Sequence, residues 1–362
     1  MKICMYAISK DEIKNVDAWY ESVKEADHII VLDTGSTDGT PERLEELGVE
    51  VHRKTYPKPF RFDIARNDSV ELAYATDCDI FITTDFDERL SPGWSDLLKS
   101  NWIQGKHTRA SYDDFYGDSN IPGSLNWIHS RDWYWKFPCH EVMVRGGSKW
   151  YLYDEELDLS GQMVLRHYQD TTKDRGQYLP LLKIRFEENP DDVDSWGYYL
   201  RELMYAGLWD EMLALEPAAR AKDFPNGVEW AWTLIWIAAA YEQTGDTVNA
   251  QKLLMESIHV DHQFRTPYVS LARLLSLEGK HAMAEGVLKQ ALIDTERTTR
   301  SVFLDDDDVW TWRLYDWLCV VCYWQGKYEE ALKWSMKAFD SDQNNDAVKH
   351  NLRACIEAIG RN

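Results

Sequence analysis

The sequence predicts an α/β domain built on a mostly parallel sheet, followed by an all-α domain of helical repeats. Two observations carry this reading. Through the first half, short apolar runs alternate with amphipathic stretches of helix length. In the second half, glycines recur between paired helical stretches, with small residues at fixed distances behind them. The expected boundary is near residue 175, giving an α/β domain at 1–175 and a repeat domain at 176–362. A chain of 362 residues with 44% apolar and 13% aromatic content can bury two cores and is not disordered.

Each element has its own signal. Lys2–Ile8 reads as a strand and Val16–Ala26 as an amphipathic helix. "HIIVLD" (28–33) is a fully buried strand type, closed by the turn "TGSTDGT". Pro41–Leu47 is a helix with proline in its first turn, "VEVHRK" a third strand, and Asp63–Ala75 a helix. Ile80, Phe81 and Ile82 form a core strand that runs straight into Asp85, Asp87 and Glu88. Carboxylates crowded at a strand end repel one another, so this is either a solvated turn or a place for a cation. From about 105 to 167 the pattern becomes short strands and aromatic loops.

The second half repeats one unit. Gly245, Gly279 and Gly326 each sit between two helical stretches; Ala250, Ala284 and Ala331 follow five residues on, and Ser257, Ala291 and Ala338 twelve on. Small residues are needed where the two helices of a hairpin touch. The copy around Gly207 is degenerate, and an insertion holding "DDDD" (305–308), read as a solvated loop, precedes Gly326. Period and pattern resemble the tetratricopeptide repeat.

Composition excludes several classes. A formal charge of −22 without a Lys/Arg cluster argues against a nucleic-acid partner. The longest apolar stretch, Trp230–Tyr241, is shorter than the roughly 20 residues of a membrane helix, so no transmembrane segment is expected. Sparse cysteines and an N-terminus without a signal-peptide pattern point to a cytoplasmic protein. Cys319 and Cys322 lie on a helical apolar pattern and read as core packing, and His259 and His262 as surface residues at a helix end.

In an open parallel sheet, ligands bind beyond the carboxyl ends of the strands. "VLDTGSTDGT" (31–40), "FRFDIARNDSVELA" (60–73) and "TTDFDERL" (83–90) would therefore face one crevice. Together they resemble the core of family-2 glycosyltransferases of the GT-A fold, a Rossmann-like α/β fold. "ISKDE" (8–12) is similar to the family's first-strand exit, with Asp11 where Asn is usual. "PCHEV" (138–142) and "LRHY" (165–168) resemble elements of a branch that carries tetratricopeptide-like repeats and includes the peptide S-glycosyltransferases of glycosylated-bacteriocin biosynthesis. Thr84 and Phe86 depart from the family's Trp/Leu and Ala.

The resemblance implies an inverting, divalent-metal-dependent hexosyltransferase acting on a nucleotide sugar, with UDP expected. Charge grows on the diphosphate as the glycosidic bond breaks, and Mn²⁺ or Mg²⁺ neutralises it. By resemblance Asp87 is the direct metal ligand and His167 the second. Asp85 would bond the ribose and reach the metal through water. Asp33 would accept the imide N–H of uracil beside the backbone of Ile8, and Arg66 would lie against the base or the diphosphate, although its spacing also suits a pair with Asp63. Glu141 is the expected base for the acceptor, with Asp113 or Asp114 as substitutes. His140, Trp133 and Trp135 are candidate sugar or acceptor contacts, and core packing is the alternative for the tryptophans. The repeats would hold a peptide, protein or glycan acceptor, or serve as a homodimer contact. A catalytically dead scaffold that binds a protein partner is the competing reading.

Overall fold

The computed structural model describes residues 1–116, 123–145, 156–168, 176, 178–222, 224, 227–297 and 305–361. Two compact units emerge, Met1–Glu188 and Asn189–Asn362, so the division lies at 188 where the sequence suggested 175.

The first unit alternates β1 (Ile3–Ser9), α1 (Ile13–Val23), β2 (His28–Asp33), α2 (Thr40–Glu46), β3 (Glu50–Arg53), α3 (Phe62–Tyr74) and β4 (Ile80–Thr83). It continues through β5 (Glu88–Leu90), α4 (Trp94–Asn101), β6 (Arg109–Tyr116), β7 (Gly123–His129), β8 (Trp133–Lys136), β9 (Val142–Arg145), β10 (Glu156–Asp158), β11 (Val164–His167) and α5 (Tyr178–Glu188). The described strands form a nine-stranded sheet in the order β3-β2-β1-β4-β7-β6-β11-β5, with β10 on β6, and a separate β8–β9 ribbon. The first four positions in that order are parallel, whereas β7 runs antiparallel to both β4 and β6. The sheet is thus mixed, and its parallel half is the part the strand–helix alternation foretold.

Strand order turns back on either side of β1, which pairs with β2 and β4. In open α/β sheets such a reversal is where ligands bind, which here means the carboxyl ends of β1, β2 and β4. Both faces are covered. One core gathers Trp19, Ile82, Phe86, Trp94 and Leu165, and the other gathers Tyr6, Val70, Phe81, Trp133 and Trp135. The tail helix α5 enters the first unit through Arg185. It is fully buried, lies 3.8 Å from the Phe137 ring centroid, and donates to the carbonyls of Cys139 and His140 at 3.2 and 2.8 Å.

The second unit runs α6 (Val193–Ala206), α7 (Trp209–Ala221), α8 (Gly227–Gln243), α9 (Thr247–Val260), α10 (Thr266–Leu277), α11 (His281–Asp294), the short α12 (Asp307–Trp310), α13 (Arg313–Trp324), α14 (Tyr328–Ser341) and α15 (Asp346–Arg361). Gly207, Gly245, Gly279 and Gly326 hold the turns of successive hairpins with φ of 68°, 87°, 77° and 75°, a region that favours glycine. Ala250, Ala284 and Ala331, like Ser257, Ala291 and Ala338, are fully buried. Ser257 satisfies its hydroxyl by donating to the Ala231 carbonyl at 2.9 Å. Cys319 and Cys322 are core residues, as expected. The acidic run is not wholly solvated: Asp305 is buried and accepts from the Arg265 and Thr266 amides and the Trp310 indole. No helix among the described residues is long and apolar enough to cross a membrane.

Glu285 ties neighbouring hairpins together. Burial opposes its charge, but hydrogen bonds from Lys289, Lys327 and Gln325 overcome this and hold the carboxyl at about 2. A depressed carboxyl stabilises the fold above its ordinary value of 4.5 and ceases to do so as pH falls towards 2. Glu285→Gln is expected to destabilise the protein by roughly 1–2 kcal/mol at neutral pH, allowing for the exposed lysine ends. Chemical denaturation should show that gap narrowing below pH ~4.5. An unchanged gap at low pH would contradict the assignment.

Candidate active site

The acidic strand end is held by its own backbone and by one aromatic stack. Phe86, 3% exposed, stacks on Trp19 with centroids 4.4 Å apart, and the Trp19 indole donates to Thr84 at 2.9 Å. The two departures from the expected motif, Thr84 and Phe86, are therefore structural anchors. They bury the residues on either side of Asp85 in the core. The Asp85 amide donates to Glu88 at 2.8 Å, and the Glu88 amide donates back to the Asp85 carbonyl at 3.0 Å. Burial, and then the Asp85 charge, push Glu88 well above the usual carboxylate range.

β11 pairs antiparallel with β5 and sets His167 opposite Glu88. This brings His167 Nε2 to 3.4 Å from Asp87 Oδ2, across eighty residues of sequence. The hydrogen bond to Asp87 raises the His167 pKa against the effect of burial. Tyr116 packs beside the imidazole at 5.0 Å.

Arg66 is the buried cation of the site. It projects from α3, is 6% exposed, and donates through Nη2 to both Asp85 oxygens at 2.8 and 3.1 Å and through Nε to Glu141 at 3.1 Å. Its guanidinium lies 5.4 Å from the Trp127 ring and 4.9 Å from that of Trp135. Burial disfavours its charge, and Asp85 and Glu141 more than offset that. Asp63 is bonded instead to Arg61, at 2.8 and 3.1 Å, so the helix-surface reading of Arg66 does not apply. Arg66 Nη1 lacks a hydrogen-bond partner among the described residues. An orphaned buried N–H beside two carboxylates is a place for an acceptor oxygen.

Glu141 sits on a loop with left-handed residues at Phe137 (φ 80°) and His140 (φ 48°). The Phe62 amide donates to the Pro138 carbonyl at 3.0 Å, and Arg185 clamps the next two carbonyls. Burial raises the Glu141 pKa, with the Arg66 charge opposing. Asp114 is also buried and raised by burial, and its Oδ1 has no partner among the described residues.

Asp33 lies at the end of β2, opposite Ser9 on β1. It is 2% exposed, and its oxygens accept from the Gly35 and Ser36 amides at 3.0 and 2.9 Å, from Ser9 Oγ at 2.9 Å and from Ser36 Oγ. It therefore shapes its own turn, whatever else it does. Asp11 adopts φ 53°, a conformation that Asn and Asp tolerate, and its carboxylate accepts from the Thr37 amide at 2.7 Å.

Of the two alternatives for the tryptophans, the structure has core packing. Trp133 and Trp135 are 4% and 2% exposed core residues, so neither presents a ring face to a sugar. The half-buried indole that does line a cavity beside Glu141 is Trp127 on β7, a position no pattern in the sequence singled out. Asp87 and His167 come together, while Asp85 does not join them as a third donor within direct reach. Among the described residues the compact metal-capable groups are His28/Asp77/Cys78 and Glu285/Cys322/Glu330. Asp85 is turned towards Arg66, which leaves Asp87 and His167 as an oxygen–nitrogen pair. Their 3.4 Å separation suits two donors about 2.1 Å from one hard ion. His140 is exposed, its ring 5.7 Å from that of Tyr178.

Residues 7–136 match the family Glycosyl transferase family 2, whose members often use a divalent metal. No curated protein matches the chain. Among solved structures, the first TPR domain of human RPAP3 is 19% identical, covering 36% of this chain and 93% of that one with a TM-score of 0.31. TTC0263, a TPR protein of Thermus thermophilus, is 21% identical, covering 50% and 92% with a TM-score of 0.37. The repeat assignment rests on the glycine and alanine register described above. The chain carries a family-2 glycosyl transferase domain followed by tetratricopeptide-like helical repeats.

Proposed function

We propose that the protein is an inverting, divalent-metal-dependent glycosyltransferase that moves a hexose from a UDP-sugar to a side chain or glycan acceptor. The observation that carries this reading is the linkage of Asp85 and Glu141 through buried Arg66, next to the Asp87–His167 pair. One side of that arrangement suits a departing diphosphate and the other an incoming nucleophile.

Asp87 and His167 would hold Mn²⁺ or Mg²⁺, which offsets charge on the leaving diphosphate. Asp85, whose side chain is 38% exposed, would orient the ribose while Arg66 holds its carboxylate. Arg66 Nη1 is a donor for the donor sugar or its phosphate. Asp33 would meet the uracil imide through Oδ2, where the Ser9 and Ser36 hydroxyls can rotate away, while its backbone-bound Oδ1 stays fixed. The Ile8 backbone would flank the base. Glu141 would take the acceptor proton. Its pairing with Arg66 keeps the carboxylate available despite burial, and burial raises its basicity. In the repeats, stacked hairpins suit a polypeptide acceptor or a second copy of the chain.

The test is nucleotide release from a panel of UDP-, GDP- and TDP-sugars with Mn²⁺ or Mg²⁺, followed by NMR of the product anomer. Release from a UDP-hexose with inversion is expected, and Glu141→Gln should retain UDP binding while losing about 10²-fold or more in transfer. Nucleotide binding without turnover on any donor would favour the scaffold reading instead.

A further inference from the structure

Resting on that reading, we infer that the acceptor bound beside Glu141 is an uncharged saccharide, held in a polar cavity that turns anionic acceptors away. A cavity of about 730 Å³ has Glu141 in its wall and extends along the sheet face past Arg109, Ser111, Trp127, Glu156 and Asp158. Glu141 thus belongs both to the cavity wall and to the chain of pairs through Arg66 to Asp85. Arg66 and Asp85 are not among the residues lining the cavity, which Glu141 alone of the three reaches.

The register of the sheet builds this wall. β10 pairs with β6 so that Glu156 faces Arg109 and Asp158 faces Ser111, alternate positions that share one face. Arg109 is 7% exposed, donates to Glu156 at 2.9 Å, and lies 5.4 Å from the Trp133 ring. Its charge is therefore neutralised by Glu156. Glu141 is balanced only through Arg66, which Asp85 shares. Asp158 has no cationic partner among the described residues lining the cavity, and hydrogen bonds from Ser160 hold its carboxyl below the usual range. Among those lining residues there is no lysine and no second arginine. Over the described lining residues three carboxylates face one arginine, itself engaged by Glu156, so a phosphate or uronate would meet repulsion there.

What the wall does offer is a set of hydroxyl partners. Carboxylate oxygens accept hydrogen bonds from sugar hydroxyls, serine hydroxyls donate or accept, and the Trp127 indole supplies an apolar surface for sugar C–H faces. A volume of this size holds one or two pyranose rings.

The experiment is ligand-observed NMR titration of the full chain, without donor, using methyl glucoside, methyl galactoside, methyl N-acetylglucosaminide, methyl glucuronide and a neutral serine-containing peptide. At least one neutral glycoside should bind saturably, roughly tenfold tighter than methyl glucuronide. Asp158→Lys should shrink or reverse that ratio. Equal or tighter binding of the glucuronide, a ratio unmoved by Asp158→Lys, binding of the peptide alone, or no saturable glycoside binding would each overturn the inference. Glycoside binding does not depend on turnover. Absence of donor cleavage would therefore count against the transferase reading while leaving this result to stand or fall separately.

Discussion

Asp87→Ala is expected to lower sugar transfer by about 10²–10³-fold and to abolish metal-enhanced UDP binding, while the melting temperature moves by only a few degrees. The two halves of this expectation have different physical sources. Asp87 and His167 are 13% and 21% exposed, but their 3.4 Å separation lies beyond the usual hydrogen-bond range, so the pair contributes on the order of 1 kcal/mol or less. The Asp87 carbonyl, which accepts from the Tyr168 amide at 2.7 Å, survives the substitution and keeps β11 in register. Phe86 on Trp19 still anchors the loop. What disappears is an anionic oxygen facing an imidazole beyond the end of β4. Titrating UDP with and without Mn²⁺, alongside differential scanning calorimetry, separates the outcomes. Full activity in the variant would remove Asp87 from the metal site, and a large drop in melting temperature would make it a structural residue instead.

How much of this was legible in the sequence follows from the range of the interactions involved. The parallel half of the sheet was readable because buried strands and their crossover helices are local patterns, from Ile3–Ser9 to Ile80–Thr83. The hairpin repeats were readable because Gly245, Gly279 and Gly326 need φ between 75° and 87°, and the alanines behind them need zero exposure. The antiparallel insertion of β7 between β4 and β6 was not, since short aromatic strands carry no direction in their sequence. Nor was the role of α5. Arg185 sits in an apolar helical stretch beyond the expected boundary, and only the folded chain brings it to the carbonyls of Cys139 and His140. Of the residues singled out, Asp85 and Glu141 meet across Arg66, and His167 reaches Asp87. The burial of Trp133 and Trp135 rather than Trp127 was a matter of which strand face meets α3. Alternation within a ribbon of "WYWK" cannot decide that.

Arg66→Met is expected to be the most destabilising substitution in the site, costing about 3–5 kcal/mol, because it removes the cation from a buried pair and leaves its partners behind. The cost should fall unevenly. Asp85 is 38% exposed and can rehydrate, whereas Glu141 is 13% exposed and loses the group donating to it at 3.1 Å. Glu141→Gln on its own keeps an acceptor for Arg66 Nε and removes a buried charge, so it should be milder. In the double variant, the amide no longer strands a charge, and about 1–3 kcal/mol of the Arg66→Met loss should return. The pH dependence carries the same signature. Burial already raises the Glu141 pKa with Arg66 present, and losing that cation raises it further. A carboxyl whose folded pKa exceeds its unfolded value contributes stability when protonated and loses it as pH rises through the folded pKa. The Arg66→Met deficit should therefore be smallest near pH ~5 and grow towards neutrality, then flatten when Glu141→Gln is added. Urea denaturation of the four proteins at several pH values measures all of this. A deficit that ignores pH, or a double variant no better than Arg66→Met alone, would show that Arg66 stabilises the fold through its stacking on Trp127 and Trp135, at 5.4 and 4.9 Å, and not through the carboxylates it joins.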